Sequence, residues 1–151
     1  MILNIPKKIT NKIRIESKRW FPKEFYTDLV GTISPKDKVL NVIGCWIPSD
    51  LDDYTSDSQV ELPPHWRKES NKYAESIGGV IVGSAHSHPY SAKDTLCSPA
   101  YRLDASPSSA DFESMGREII GIVAVLENSE GKLSTTIKFY GPILKLDVKI
   151  I

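Results

Sequence analysis

Val80-Ile81-Val82-Gly83-Ser84-Ala85-His86-Ser87-His88-Pro89 is a short apolar run that ends on two histidines separated by one serine. Gly78-Gly79 stop whatever precedes it, so a buried strand is expected over Val80 to Ala85, delivering the chain to His86. On extended backbone, residues two apart share a face, and both imidazoles can therefore reach one ion. Neutral imidazole is a good zinc ligand, and a catalytic zinc takes three protein ligands with a fourth position left open. A carboxylate must follow, and Asp94, Asp104 and Asp111 compete for the place. Asp94 has its own Ser-x-x-Asp frame with Ser91, only six residues after His88. Asp111 closes Pro107-Ser108-Ser109-Ala110-Asp111, where Ser106 reads as an N-cap and Pro107 as a first helical residue. A carboxylate in a first helical turn is favoured by the helix dipole and held on a rigid element. Asp111 is the expected ligand.

Outward from this run, strand signals outnumber helix signals. Pro6 to Trp20 places Ile9, Ile13 and Trp20 near one helical face, and Pro22 ends the helix. Glu24 to Ile33 reads as a strand, Ser34-Pro35-Lys36-Asp37 as a turn, and Val39–Ile47 as a strand deep in a sheet. Ser49 to Ser58 is polar and acidic and reads as a solvated surface loop. Pro63-Pro64 open a helix through Ile77, with Trp66 and Tyr73 as packing residues and His65 at the surface. Glu118 to Glu127 and Lys132–Tyr140 form a hairpin about Asn128-Ser129-Glu130-Gly131, and Leu144 to Ile150 alternates as a half-buried strand. The elements do not alternate strictly as strand and helix. They predict an α+β fold, with a mixed, largely antiparallel sheet flanked by helices as an α/β/α sandwich.

The bulk numbers bound the function. The 151 residues, 40% hydrophobic and 25% charged, fit one domain over residues 1 to 151. Nineteen basic residues balance nineteen acidic ones, which leaves no global footprint for nucleic acid. No apolar run approaches the roughly 18 to 20 residues of a membrane span, and Met1 to Lys12 lacks the continuous apolar core of a secretory signal. A cytoplasmic protein is expected. Cys45 and Cys97 are not a disulfide framework; Cys45 reads as a small buried hydrophobe, and a single bridge between the two stays open.

The string His86-Ser87-His88-Pro89 followed by Pro107-Ser108-Ser109-Ala110-Asp111 resembles the JAMM (MPN-plus) zinc metalloproteases, which include isopeptidases acting on ubiquitin and ubiquitin-like modifiers. Pro22-Lys23-Glu24-Phe25-Tyr26-Thr27-Asp28-Leu29-Val30-Gly31 is similar to that family's upstream glutamate motif at Pro22, Glu24, Leu29 and Gly31, with Thr27 where the family has Gly. The resemblance runs from Pro6 to Leu126. It implies zinc held by His86, His88 and Asp111, with Glu24 as general base and Ser108 as donor to the developing oxyanion. Zinc would bring the pKa of a bound water from 15.7 to about 7. It also implies a substrate with a Gly-Gly tail, a ubiquitin-like or sulfur-carrier protein. Ser87 is expected to support the ligand strand without a chemical step.

One departure is large. The family places its aspartate eleven residues after the second histidine, whereas Asp111 is twenty-three after His88. The extra residues fall in Pro89–Ser106, and Tyr90 to Ser106 shows no helical or strand period. A flap over the cleft is expected there, with Tyr101 and Arg102 contacting substrate; the alternative is a tolerated surface insertion. Two other functions fit the same fold: a non-catalytic interaction module, as in relatives that have lost the ligands, and hydrolysis of a small amide. The intact set Glu24, His86, His88, Ser108 and Asp111 favours the peptidase.

Overall fold

The computed structural model describes residues 1–97, 105–108, 111, 118–141 and 146–151. The chain runs β1 (Ile2–Ile5), α1 (Lys7–Trp20), β2 (Tyr26–Ser34), β3 (Val39–Trp46), a 3-10 turn (Leu51–Asp53), α2 (Pro64–Ser76), β4 (Val80–Tyr90), α3 (Ala92–Cys97), β5 (Ile119–Glu127), β6 (Leu133–Tyr140) and β7 (Asp147–Ile150). The strands form one sheet in the order β6-β5-β4-β2-β3-β1-β7. It is the mixed α+β sheet expected. Its pairings among the described residues divide evenly, however, with β5–β6, β2–β4 and β2–β3 antiparallel and β4–β5, β1–β3 and β1–β7 parallel.

β4 lies inside the sheet between β2 and β5, and that position fixes which way its side chains face. Tyr26 pairs with His86 and Asp28 with Ser84, while Ile120, Ile122 and Ala124 pair with Ser84, His86 and His88. Alternation therefore sets all of these on one face. Trp66 of α2 stacks on Tyr26 at 5.4 Å between ring centroids, so α2 covers that face. The opposite face carries Ala85, Val123 and Val125, and it buries Ile9 and Ile13 of α1. α1 packs across β6, β5 and β4, so helices cover both faces. At Gly83 the backbone of β5 leaves no room for a side chain: a Cβ there would stand 2.1 Å from the carbonyl oxygen of Ile119. Only glycine permits that approach.

α1 follows the helical period of Ile9 and Ile13, both buried, and the expected hairpin turns through Gly131 at φ 78°. Several expectations need correction. Residues Ile2–Ile5 form a strand, too short to show a period, because β3 and β7 pair with it on both sides. β2 begins at Tyr26, so Glu24 precedes the strand and takes no part in its ladder. Ser49 to Ser58 is not simply solvated: Leu51 is fully buried. Asp50 accepts hydrogen bonds from Trp66 Nε1 at 2.7 Å and from His65 Nε2 at 2.6 Å, which ties the loop to α2. His65 is accordingly a half-buried anchor. The stretch after Tyr90 contains α3, held on β5 where Thr95 Oγ1 donates to Glu127 O and Ala92 N to Glu127 Oε1, both at 2.8 Å. Cys45 is half-buried and free, whereas the Cys97 side chain lies outside the described residues.

Candidate metal centre

His86 and His88 sit on β4 itself rather than beyond its end, because the strand continues to Tyr90. Their Nε2 atoms converge to 3.1 Å. Asp111 meets them both, Oδ1 at 3.0 Å from His86 Nε2 and Oδ2 at 3.2 Å from His88 Nε2. Two ligands bound at about 2.0 to 2.1 Å in tetrahedral geometry stand roughly 3.3 Å apart. The three side chains are thus spaced as ligands of one small ion.

Asp111 has helical backbone, and its local partner is Ser108. Ser108 N donates to Asp111 Oδ2 at 2.7 Å, and Asp111 N donates to Ser108 Oγ at 3.1 Å. That reciprocal pair is a capping box with aspartate at the third helical position. The cap is therefore Ser108, not Ser106, because only a residue three before Asp111 can close this ring. Burial pushes the Asp111 carboxyl up, but hydrogen bonds to His86 and His88 outweigh it and hold the group well below the usual carboxylate range. Among the described residues Ser108 Oγ accepts this one bond, which leaves its proton available at the cleft edge.

The competing aspartate is placed elsewhere. Ser91 and Asp94 form the same kind of box at the start of α3, Ser91 N to Asp94 Oδ2 at 2.8 Å and Asp94 N to Ser91 Oγ at 3.3 Å, on an exposed surface. Asp104, Tyr101 and Arg102 lie outside the described residues.

Glu24 is 6% exposed and groups with His86 and His88, one ligand-type atom from each residue lying within 4.8 Å of the others. These three residues could hold a metal ion, so two carboxylates are available to the histidine pair. Asp111 is the nearer, with ion-pair contacts to both rings; Glu24 stands farther back. Burial raises the Glu24 carboxyl from 4.5 to about 7; the charge of His88 opposes the rise, and Asp111 and Asp57 add to it. A bound dication would act in the same sense as His88 and draw the value down.

The backbone around Glu24 is held from two sides. Phe25 N donates to Ser87 Oγ at 2.7 Å, and Ser87 N to Phe25 O at 3.0 Å. Ser87 is fully buried and points away from its two histidine neighbours. On the other side, Glu24 N donates to Ser56 O at 2.8 Å, and Thr55 Oγ1 to Glu24 O at 2.5 Å.

These groups line a cleft of about 480 Å³. Its floor is Tyr26, Ser84, His86, His88 and Ile120, and Ser108 and Asp111 stand at its edge. Asp57, Ser58, Gln59, Val60 and Leu62 form a wall that sequence reasoning missed. A signal existed in the alternation of Val60 and Leu62 about Glu61, too short to separate from a loop. Behind the floor, Asp28 is buried and accepts from Tyr26 Oη at 2.7 Å. Burial raises its carboxyl, and the hydroxyls of Tyr26 and Ser70 and the charge of Arg67 oppose that rise.

No family model matches the chain, and no curated protein matches its sequence. Solved structures match its fold. The solution structure of protein DSY2949 from Desulfitobacterium hafniense is similar at a TM-score of 0.63 and 17% identity, covering 99% of this chain and 94% of that one. A protein from Salinibacter ruber gives 0.57 and 17%, over 97% and 91%. AF2198, a JAB1/MPN domain protein from Archaeoglobus fulgidus, gives 0.51 and 20%, over 96% and 97%. The fold is MPN-like.

Proposed function

We propose that the protein is a zinc-dependent peptidase or isopeptidase of the JAMM type. The observation that carries this reading is the convergence of His86, His88 and Asp111 to within 3.2 Å of one another's ligand atoms, beside a buried Glu24. Two imidazoles and a carboxylate are a donor set suited to zinc, and His86, His88 and Asp111 would hold it at the cleft that they line. When bound, zinc would supply Lewis-acid activation of water near neutral pH and polarisation of the scissile carbonyl.

Glu24, one layer behind the ligand atoms, takes a proton from the attacking water at its carboxylate and returns it to the leaving amine. Ser108 donates its free hydroxyl proton to the carbonyl oxygen as charge develops, a contact of the kind worth ~3 kcal/mol when preorganised. Tyr26 and the wall residues Val60 and Leu62 exclude water from the reacting bond. An extended chain with small side chains could enter a cleft of this size, and the proposed substrate is the Gly-Gly tail of a ubiquitin-like or sulfur-carrier protein. Tyr101 and Arg102 are its proposed further contacts, in a protein proposed to work in the cytoplasm. No helix among the described residues is long and apolar enough to cross a membrane.

The test is metal analysis combined with a panel of linear and isopeptide-linked Gly-Gly fusions and small amides. One zinc per chain and cleavage after the terminal glycine support the reading. Zinc with hydrolysis of small amides alone would replace the substrate, and a metal-free, inactive protein would leave an interaction module.

A further inference from the structure

We propose that Thr55 is a positioning residue for Glu24, holding the base in register with the histidine pair from the segment that leads into the cleft wall. The proposal rests on the reading of Glu24 as the base. It starts from a local fact of the fold: Glu24 lies before β2 begins, so no sheet ladder fixes its backbone. A base does its work only within hydrogen-bond reach of the proton it takes, and a misplacement of about 1 Å can cost on the order of 100-fold in rate.

The hydroxyl of Thr55 is aimed at that backbone. It reaches Glu24 O at 2.5 Å, whereas its other near acceptor, Ser56 O, is 3.4 Å away. One residue on, Ser56 O accepts from Glu24 N at 2.8 Å. The segment Tyr54 to Glu61 closes without the Thr55 hydroxyl, since Ser56 N donates to Gln59 O at 3.0 Å and Glu61 N to Tyr54 O at 2.8 Å. The hydroxyl is thus free to act on Glu24 rather than on its own turn. The segment is in turn fixed to α2, where the Tyr54 ring meets Trp66 at 5.5 Å and His65 at 5.6 Å between centroids. Thr55 therefore carries the rigidity of α2 to the base, just as Ser87 carries that of β4 to Phe25.

Thr55→Val keeps the shape and removes the donor, while Thr55→Ser keeps the donor. In the Val variant the Glu24 amide should exchange with solvent at least about tenfold faster than in the wild type. Amides of Leu29 and Ala85, within the sheet, should be unchanged. The kcat should fall about 10- to 100-fold with KM within about twofold, and zinc content should be unaltered. Thr55→Ser should restore both exchange and kcat to within about threefold. The proposal is overturned if the Val variant matches the wild type in both readouts, or if Thr55→Ser is as impaired as Thr55→Val. Should the Val variant fail to fold, Thr55→Ala against Thr55→Ser makes the same comparison. A wild-type protein that cleaves nothing would remove the peptidase reading, while amide exchange, which needs no activity, would still decide whether Thr55 holds Glu24.

Discussion

As the proposed base, Glu24 would carry two conflicting demands, since a base must be ionised while burial favours its neutral form. Without metal, its folded pKa of about 7 lies above its unfolded value near 4.5. The stability it contributes is present below about pH 4.5 and lost as pH rises through 7. In metal-free protein, Glu24→Gln should melt with the wild type at pH 4 and several degrees higher at pH 8. The difference is on the order of 2 kcal/mol after allowance for residual solvation. Thermal melts at the two pH values check it, and a constant offset would contradict the burial argument. With zinc bound, the same variant should keep its metal and lose turnover ~100-fold or more. Asp111 and Asp94 differ in another way. Both sit in Ser-x-x-Asp boxes, so their local sequence does not separate them, but only Asp111 meets the imidazoles. Asp111→Ala should strip the zinc and Asp94→Ala should leave it in place, as read by metal analysis after dialysis.

Among the elements, β4 does the positioning, and it does so through both of its faces. His86 and His88 face the cleft, and Ser87 between them reaches back to Phe25. Ser87→Ala would leave the buried Phe25 N–H without its acceptor, at a cost of about 1 to 3 kcal/mol. The melting point should drop by roughly 3 to 10 °C, and kcat should fall while zinc stoichiometry holds. Unchanged kcat in a destabilised variant would make Ser87 structural only. Most of this element was legible: the apolar run, the two-residue spacing of the histidines and the glycine stop are local signals. Its length was not, because Pro89 and Tyr90 become strand only by pairing with Val125 and Leu126. β1 and α3 were hidden for a related reason. Four and six residues are too few to show a period, and β3, β7 and β5 stabilise them from outside.

At the scale of the whole molecule, the fold class could be read from the sequence, because alternation and apolar runs are written residue by residue. The strand order could not, since it depends on which runs meet. The same division holds at the site. His86, His88 and Asp111 advertise themselves by residue type, whereas nothing in the residue types of Thr55 and of residues 57–62 sets them apart from an ordinary loop. One consequence follows from β4 and β5 being parallel neighbours. A parallel pair needs a return connection of a dozen residues or more, and Asp111 lies on that return. An ion shared by His88 and Asp111 would therefore act as a cross-link, stapling the return path to the strand it left. Chelation should lower the melting point, and the shift should grow with free zinc concentration. The entropy of closing such a ring rises only logarithmically with its length, so twenty-three residues in place of eleven cost about 0.6 kcal/mol, roughly threefold in metal affinity. An inserted segment in this stretch is inexpensive for the ion, and the connection could lengthen again, or carry a second module, before the centre weakened appreciably.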